Sequence, residues 1–186
     1  MTEPVIPGRV KSTRVYSGRI VSLDVDTVRF PDGSVGELEM IRHSGASAVV
    51  PFLSDPDSDD PHVLLIRQYR YAAGGYMLEV PAGRLDAGEN PKDCAVRELK
   101  EETGCTAEQV EYLTTIYTTP GFTDERIHLF MATGLAAGET KHEADEFLEP
   151  QPMPLSQALE KIRAGEIQDG KTVIALLFAA GFRLSR

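Results

Sequence analysis

The sequence predicts a mixed α/β or α+β domain, and three observations carry that expectation. Short segments rich in β-branched residues recur as far as residue 135, with turn signals between them. One strongly capped helix interrupts them, and two further segments with apolar residues at helical spacing follow. Strands before, between and after helices suit a sheet covered by helices.

The elements read in order as follows. "RIVSLDVDTVRF" (19–30) alternates partly, "PDG" (31–33) marks a turn, and "SVGELEMIRH" (34–43) continues a small β-unit that ends near Gly45. "ASAVVPFL" (46–53) reads as a buried strand, "SDPDSDDP" (54–61) as a polar loop and "HVLLIRQYRY" (62–71) as a second strand. "GGYMLEVPAG" (74–83) reads as a third, short strand. "NPKDCAVRELKEETG" (90–104) is the clearest helix, with Asn90 as N-cap, Pro91 at the first helical position and Gly104 past the end. Strands at 110–119 and 126–135 flank the loop "PGFTDE" (120–125). An acidic loop at 138–149 leads into another extended segment, and helices follow at 155–165 and 171–182.

Composition narrows the partners. With 186 residues and 41% hydrophobic content the chain can bury a real core as one main domain, with a small accessory lobe. A formal net charge of -10 argues against nucleic acid or an anionic membrane as partner. An anionic small molecule stays in play, because a bound cation inverts the local charge logic. "MTEPVIPGRVKST" has no apolar core of a signal peptide, and no apolar run nears the ~18 residues of a spanning helix. The two cysteines, Cys94 and Cys105, form neither a disulfide framework nor a zinc pattern, as expected of reduced thiols in a cytoplasmic protein.

Several apparent motifs fail on their chemistry. "GEIQDGKT" (165–172) fits the phosphate-loop spacing, but an amphipathic helix precedes it where a strand is needed, and Glu166 and Asp169 would repel phosphate. "DPDSDD" (55–60) opens like a calcium loop but has Asp60 at the glycine position and Ile66 at the glutamate position. "HEADE" (142–146) has Glu146 where a zinc helix needs its second histidine. No nucleophile elbow organises the serines.

The helix at 90–104 raises a sharper question. Glu98 and Glu102 share a face, and Glu101 flanks it. Arg97 and Lys100 moderate the repulsion, while Val96 and Leu99 belong to the apolar side. Alone, such a run reads as a solvated acidic face. Gly83 and Gly88 in the loop before it, with Glu89 at its start, favour a second reading: closely placed carboxylates are what a hard divalent cation requires.

Residues 83–105 match the Nudix box, G-x5-E-x7-R-E-U-x-E-E-x-G-U, at Gly83, Glu89, Arg97, Glu98, Leu99, Glu101, Glu102 and Gly104. Cys105 replaces the usual bulky aliphatic residue. The chain thus resembles the Nudix hydrolases. The resemblance implies a Nudix fold, an α/β/α sandwich around a mixed sheet (45–186), plus the small N-terminal β-unit (1–44). It implies that Glu98 and Glu102 bind Mg²⁺ or Mn²⁺, with Glu101 as ligand or catalytic helper. It has Arg97 orient a neighbouring glutamate, and leaves Glu89 as either a further metal ligand or a structural residue.

Outside the box the chain resembles the ADP-ribose pyrophosphatase branch, at "HSGASAVVP" (43–51), "RQYRY" (67–71), "LEVPAGRLDAGE" (78–89), "TPGFTDE" (119–125), "ADEFLE" (144–149) and "ALEKIRAGEIQDGKTVIALL" (158–177). That likeness implies a homodimer whose N-terminal units exchange, with each active site drawing on both chains. It implies the Ala82 carbonyl as a metal ligand, Arg70 as a substrate contact, and Glu125 with Thr119 near the ribose or pyrophosphate. The catalytic base is expected in the acidic loop, with Glu146 as first choice, Glu143 and Asp145 as competitors, and one of the loop carboxylates as a possible metal ligand. Two departures stand out: Leu38-Glu39 where many relatives carry Arg-Glu, and no tryptophan to stack adenine. The implied reaction is hydrolysis of ADP-ribose to AMP and ribose 5-phosphate. The alternatives are another nucleoside diphosphate derivative (a nucleotide sugar, a dinucleotide or NADH) and a non-catalytic ADP-ribose-binding module.

Overall fold

The computed structural model describes residues 6–138 and 148–183. The chain divides into two compact units, one formed by residues 1–45 with 117–126, the other by 46–116 with 127–186.

The first unit is an antiparallel sheet of β1 (Gly8–Ser17), β2 (Ser22–Arg29) and β3 (Val35–Arg42), in the order β1-β2-β3. The sequence reading contains β2 and β3 but misses β1. Every residue of β1 is exposed, so no burial alternation marks it in the sequence. Arg42 binds Asp24 at 3.1 Å and Asp124 at 3.2 Å and also pairs with Asp26; Arg14 pairs with Asp24. Asp24 and Asp26 are buried; hydrogen bonds from Arg14 and then Arg42 lower the Asp24 pKa, and a hydrogen bond from Ser12 and then one from Arg42 lower that of Asp26, in both cases against burial. The 117–126 segment joins this sheet through its backbone: Ile41 N–H donates to the Phe122 carbonyl at 2.8 Å.

The second unit contains two sheets, β10-β5-β6 and β7-β4-β9-β8. Their strands are β4 (Ala46–Pro51), β5 (His62–Arg70), β6 (Gly75–Glu79), β7 (Ala82–Arg84), β8 (Thr106–Tyr117), β9 (Arg126–Ala136) and β10 (Leu148–Pro154). β4 and β9 run parallel, whereas β4–β7, β5–β6 and β5–β10 are antiparallel, so the arrangement is mixed. The helices are α1 (Pro91–Thr103), α2 (Leu155–Arg163) and α3 (Gly170–Phe178), the last running into a π-helical turn at Ala179–Arg183.

The strands sort their side chains by the two-residue period. Ala48 and Val50 of β4, Val63 and Leu65 of β5, and Leu129 and Met131 of β9 join Leu155, Ala158, Ala175 and Leu176 in one apolar cluster with α2 and α3. Val49, Leu64, Phe130 and Ala132 face the other way and meet Ala95 and Leu99 of α1. Helices therefore cover both faces, as in the α/β/α sandwich expected. Truncating the fully buried Leu99 to alanine would cost about 3 kcal/mol.

The segment 74–83, read as one strand, is two strands in different sheets. β6 ends at Glu79 and β7 starts at Ala82. Pro81 between them has no N–H to continue a ladder. The change of sheet delivers the backbone of residues 82 and 83 to α1.

Candidate active site

The site grows from the amino end of α1. The Asn90 side chain accepts the Lys92 N–H at 2.9 Å, and Pro91 follows at a position that has no N–H to satisfy. At the other end Gly104 adopts φ 72°, the left-handed conformation that glycine takes freely, and returns its N–H to the Lys100 carbonyl. Ser47 Oγ donates to the Pro91 carbonyl at 2.7 Å and ties the helix to β4.

Within this frame one guanidinium serves three carboxylates. Arg97 grips Glu89 with both arms, Nε at 2.9 Å and Nη2 at 3.0 Å. Its Nη1 donates to Glu98 Oε1 at 2.6 Å and to Glu101 Oε2 at 3.1 Å. Arg97 thus orients neighbouring glutamates, the part the resemblance gives it. Glu89 also accepts the Asp86 N–H at 2.9 Å. The Arg97 hydrogen bonds outweigh partial burial and lower the Glu89 pKa to about 2.

Glu98 and Glu102 are buried, whereas the Glu101 side chain is 42% exposed. Glu102 Oε2 accepts the Ala82 N–H at 2.9 Å, which fixes β7 to α1. Gly83 lies directly against the Glu98 carboxylate, and a Cβ there would collide with it. The box glycine is therefore a matter of space beside the Glu98 carboxylate. Cys94 is buried behind Glu89 and Glu98; burial, then those two negative charges, push its thiol up to about 11.

The donors suit a hard divalent cation: acidic oxygens, partly desolvated, beside a backbone segment. Among the described residues, however, no three acidic, histidine or cysteine side chains converge as a ready cage. Arg97 holds Glu98 and Glu101, and the Ala82 amide engages Glu102, so a cation would compete with these contacts.

Arg70, at the end of β5, makes a two-armed pair with Glu79, Nε at 2.7 Å and Nη2 at 2.9 Å. Lys171 of α3 also pairs with Glu79. Sequence reasoning assigned Glu79 and Lys171 no role. They lie 92 positions apart, and no local pattern could join them.

Thr119 and Glu125 belong to the first unit. The Thr119 carbonyl accepts the Phe122 and Thr123 amides, both at 3.1 Å, closing a tight turn. Glu125 accepts the Thr118 hydroxyl at 2.9 Å, and its other oxygen lies 3.3 Å from His43 Nδ1. The expected base Glu146 and its competitors Glu143 and Asp145 lie outside the described residues.

The family model described as the NUDIX domain matches residues 43–176, and the chain belongs to the Nudix family. The chain is 40% identical over 171 residues to a methanol dehydrogenase activator of Bacillus methanolicus, covering 91% of this chain and 90% of the relative. It is 36% identical over 171 residues to the ADP-ribose pyrophosphatase of Bacillus subtilis (strain 168), with the same coverage. The solved structure of an ADP compounds hydrolase matches its fold with a TM-score of 0.79 at 23% identity, over 97% of this chain and 95% of that one. The chain is a Nudix pyrophosphohydrolase similar to ADP-ribose pyrophosphatases. Among the described residues no helix is long and apolar enough to cross a membrane.

Proposed function

We propose that this chain hydrolyses the pyrophosphate of ADP-ribose to AMP and ribose 5-phosphate, using Mg²⁺ or Mn²⁺. The observation that carries the reading is the excess of carboxylate at the α1 site. Arg97 faces Glu89, Glu98 and Glu101, with the buried Glu102 beside them on the same helix. Glu98 and Glu102 would hold the ion with the Ala82 carbonyl, and Glu101 would assist. A divalent ion bound there supplies charge neutralisation and an activated water. Arg70 would grip the anionic pyrophosphate with the part of its guanidinium outside the Glu79 pair. Glu146, or else Glu143, would take the proton of the attacking water, with Asp145 as a further ligand. Thr119 and Glu125 would approach the ribose or pyrophosphate, in a homodimer whose N-terminal units exchange.

The 36% identity to an ADP-ribose pyrophosphatase across nine-tenths of both chains supports the substrate. The test is a Mg²⁺-dependent assay of the purified chain with ADP-ribose, separating products by chromatography. AMP and ribose 5-phosphate, lost on chelation, are expected. Turnover confined to a nucleotide sugar, a dinucleotide or NADH would replace the substrate, and tight binding of ADP-ribose without turnover would replace catalysis. The relative named as a methanol dehydrogenase activator favours a second reading, stimulation of such a dehydrogenase. Adding the chain to a methanol dehydrogenase and finding its rate unchanged would remove that reading.

A further inference from the structure

Glu79 is 1% exposed. A carboxylate removed from water is costly unless counter-charges and hydrogen bonds replace its hydration. Arg70 occupies both oxygens, and Lys171 Nζ adds a second cation at Oε2. Burial by itself would raise the Glu79 pKa, but Arg70 and Lys171 override it and hold the group below the usual carboxylate range. Lys171 Nζ also lies 3.0 Å from Asp169 Oδ2. That oxygen caps α3, accepting the Thr172 N–H at 3.0 Å and the Thr172 hydroxyl at 2.6 Å. The sequence "QDGKT", discounted as a phosphate loop, is therefore an anchor for an internal anion.

The residues after Glu79 are held one by one. Val80 N–H donates to Thr172 Oγ1 at 2.9 Å, the Pro81 carbonyl accepts the Val49 N–H at 3.0 Å, and Ala82 N–H donates to Glu102. Gly83 then meets Glu98. The amino end of α3 is thus coupled through four consecutive residues to the acidic end of α1.

The charge balance at Arg70 depends on this anchor. With Arg70 as its sole counter-ion, Glu79 would cancel the guanidinium and leave little attraction for another anion. Lys171 shares the Glu79 charge, and Asp169, which accepts the Thr172 N–H and hydroxyl, brings the cluster to two cations and two carboxylates, so the anchor secures the geometry of the guanidinium rather than a surplus of charge. Two of the five guanidinium N–H groups are used by Glu79, and Nη1 with its two protons lies outside the pair.

We propose that Lys171 is a positioning residue for hydrolysis: through Glu79 it fixes the Arg70 guanidinium, with Nη1 outside the pair for the pyrophosphate of a nucleoside diphosphate substrate. This rests on the reading of Arg70 as a substrate contact.

The experiment compares full-length wild type, Lys171→Met and Lys171→Arg by steady-state kinetics on ADP-ribose with Mg²⁺. In parallel the Nε–H resonance of Arg70, assigned with Arg70→Lys, is followed by ¹⁵N NMR without substrate. Lys171→Met should raise KM about tenfold, the loss expected for a charge-assisted contact, with kcat lowered less than about threefold. Its Arg70 Nε–H should lose protection from solvent exchange, and Lys171→Arg should restore both readouts. Where Lys171→Met does not fold, Lys171→Gln replaces it. An unchanged KM with an unchanged Arg70 resonance overturns the proposal. So does a lower melting temperature with KM and kcat intact, since Lys171 would then act only as a structural bolt. If wild type leaves ADP-ribose intact, the substrate reading fails separately. The Arg70 resonance then decides the clamp: loss in Lys171→Met supports it, and no change overturns it.

Discussion

Arg97 and Arg70 each hold glutamates out of bulk water, yet their surroundings are opposite. At α1 one guanidinium, Arg97, pairs with three carboxylates, Glu89, Glu98 and Glu101, and the buried Glu102 lies on the same helix. At the amino end of α3 two cations, Arg70 and Lys171, share one deeply buried carboxylate, Glu79, and Lys171 also meets Asp169, so two cations face two carboxylates. The first place is rich in carboxylate and suits a cation. The second is balanced, and it leaves one arm of the Arg70 guanidinium, Nη1, outside the Glu79 pair and open to an anion. A chain of net charge -10 that must bind a pyrophosphate needs both, and residues 79–83 join them. Glu102 even contributes to raising the Arg70 pKa, after the Glu79 hydrogen bond, which outweighs burial, and the Glu79 charge.

The largest expected effect tests the acidic side. Glu98→Gln keeps the shape and removes one charge, so the fold should survive. Mg²⁺-dependent turnover should fall on the order of a thousandfold, or about 4 kcal/mol. Full activity at saturating Mg²⁺ would end the reading of this cluster as a cation site. The basic side comes next. Glu79→Ala leaves Lys171, whose side chain is 12% exposed, without its main partner and should cost about 3 kcal/mol in urea unfolding. Wild-type stability in this variant would mean that the two cations do not depend on their shared anion.

The link between the two places is tested at Gly83. An alanine there forces the Glu98 carboxylate aside. Because the colliding atoms are the end of a flexible side chain, stability should change by less than about 1 kcal/mol. Activity should fall about a hundredfold, the usual cost of misplacing a reacting group by roughly an ångström. Proportionate losses of stability and activity would show that the glycine serves packing alone.

The same contrast explains what the sequence reveals. The α1 site is legible because its signals are local: a cap at Asn90, a stop at Gly104, and glutamates placed by the helical repeat. The separation of acids from the apolar stripe at Ala95 and Leu99 follows from that repeat as well. Glu79 and Lys171 carry no such signal. They meet because β6 and the amino end of α3 are brought together by the core, over a sequence distance no window spans. β1 escaped for a different reason: a strand exposed at every position has no alternation to read. The break at Pro81 was visible as a proline, but its meaning, a change of sheet, was not.

The smallest effect concerns Glu89, which separates holding the site together from holding a cation. Its pKa falls from an ordinary 4.5 to about 2 in the folded chain, chiefly through Arg97. The folded state therefore favours the deprotonated form more than the unfolded state does. Its contribution to stability is complete above about pH 4.5 and drains away as pH falls through about 2. Glu89→Gln removes that contribution, so wild type should be the more stable at neutral pH and the two unfolding free energies should converge toward pH 2. Subtracting the curves cancels the titration of acids remote from Arg97 and leaves the part that depends on the Glu89 charge. A difference that does not vary with pH would mean that Glu89 acts through shape rather than charge. Convergence, together with unchanged Mg²⁺ affinity in the variant, would make Glu89 the brace that orients Arg97 and leave the ligand role to the glutamates further along α1.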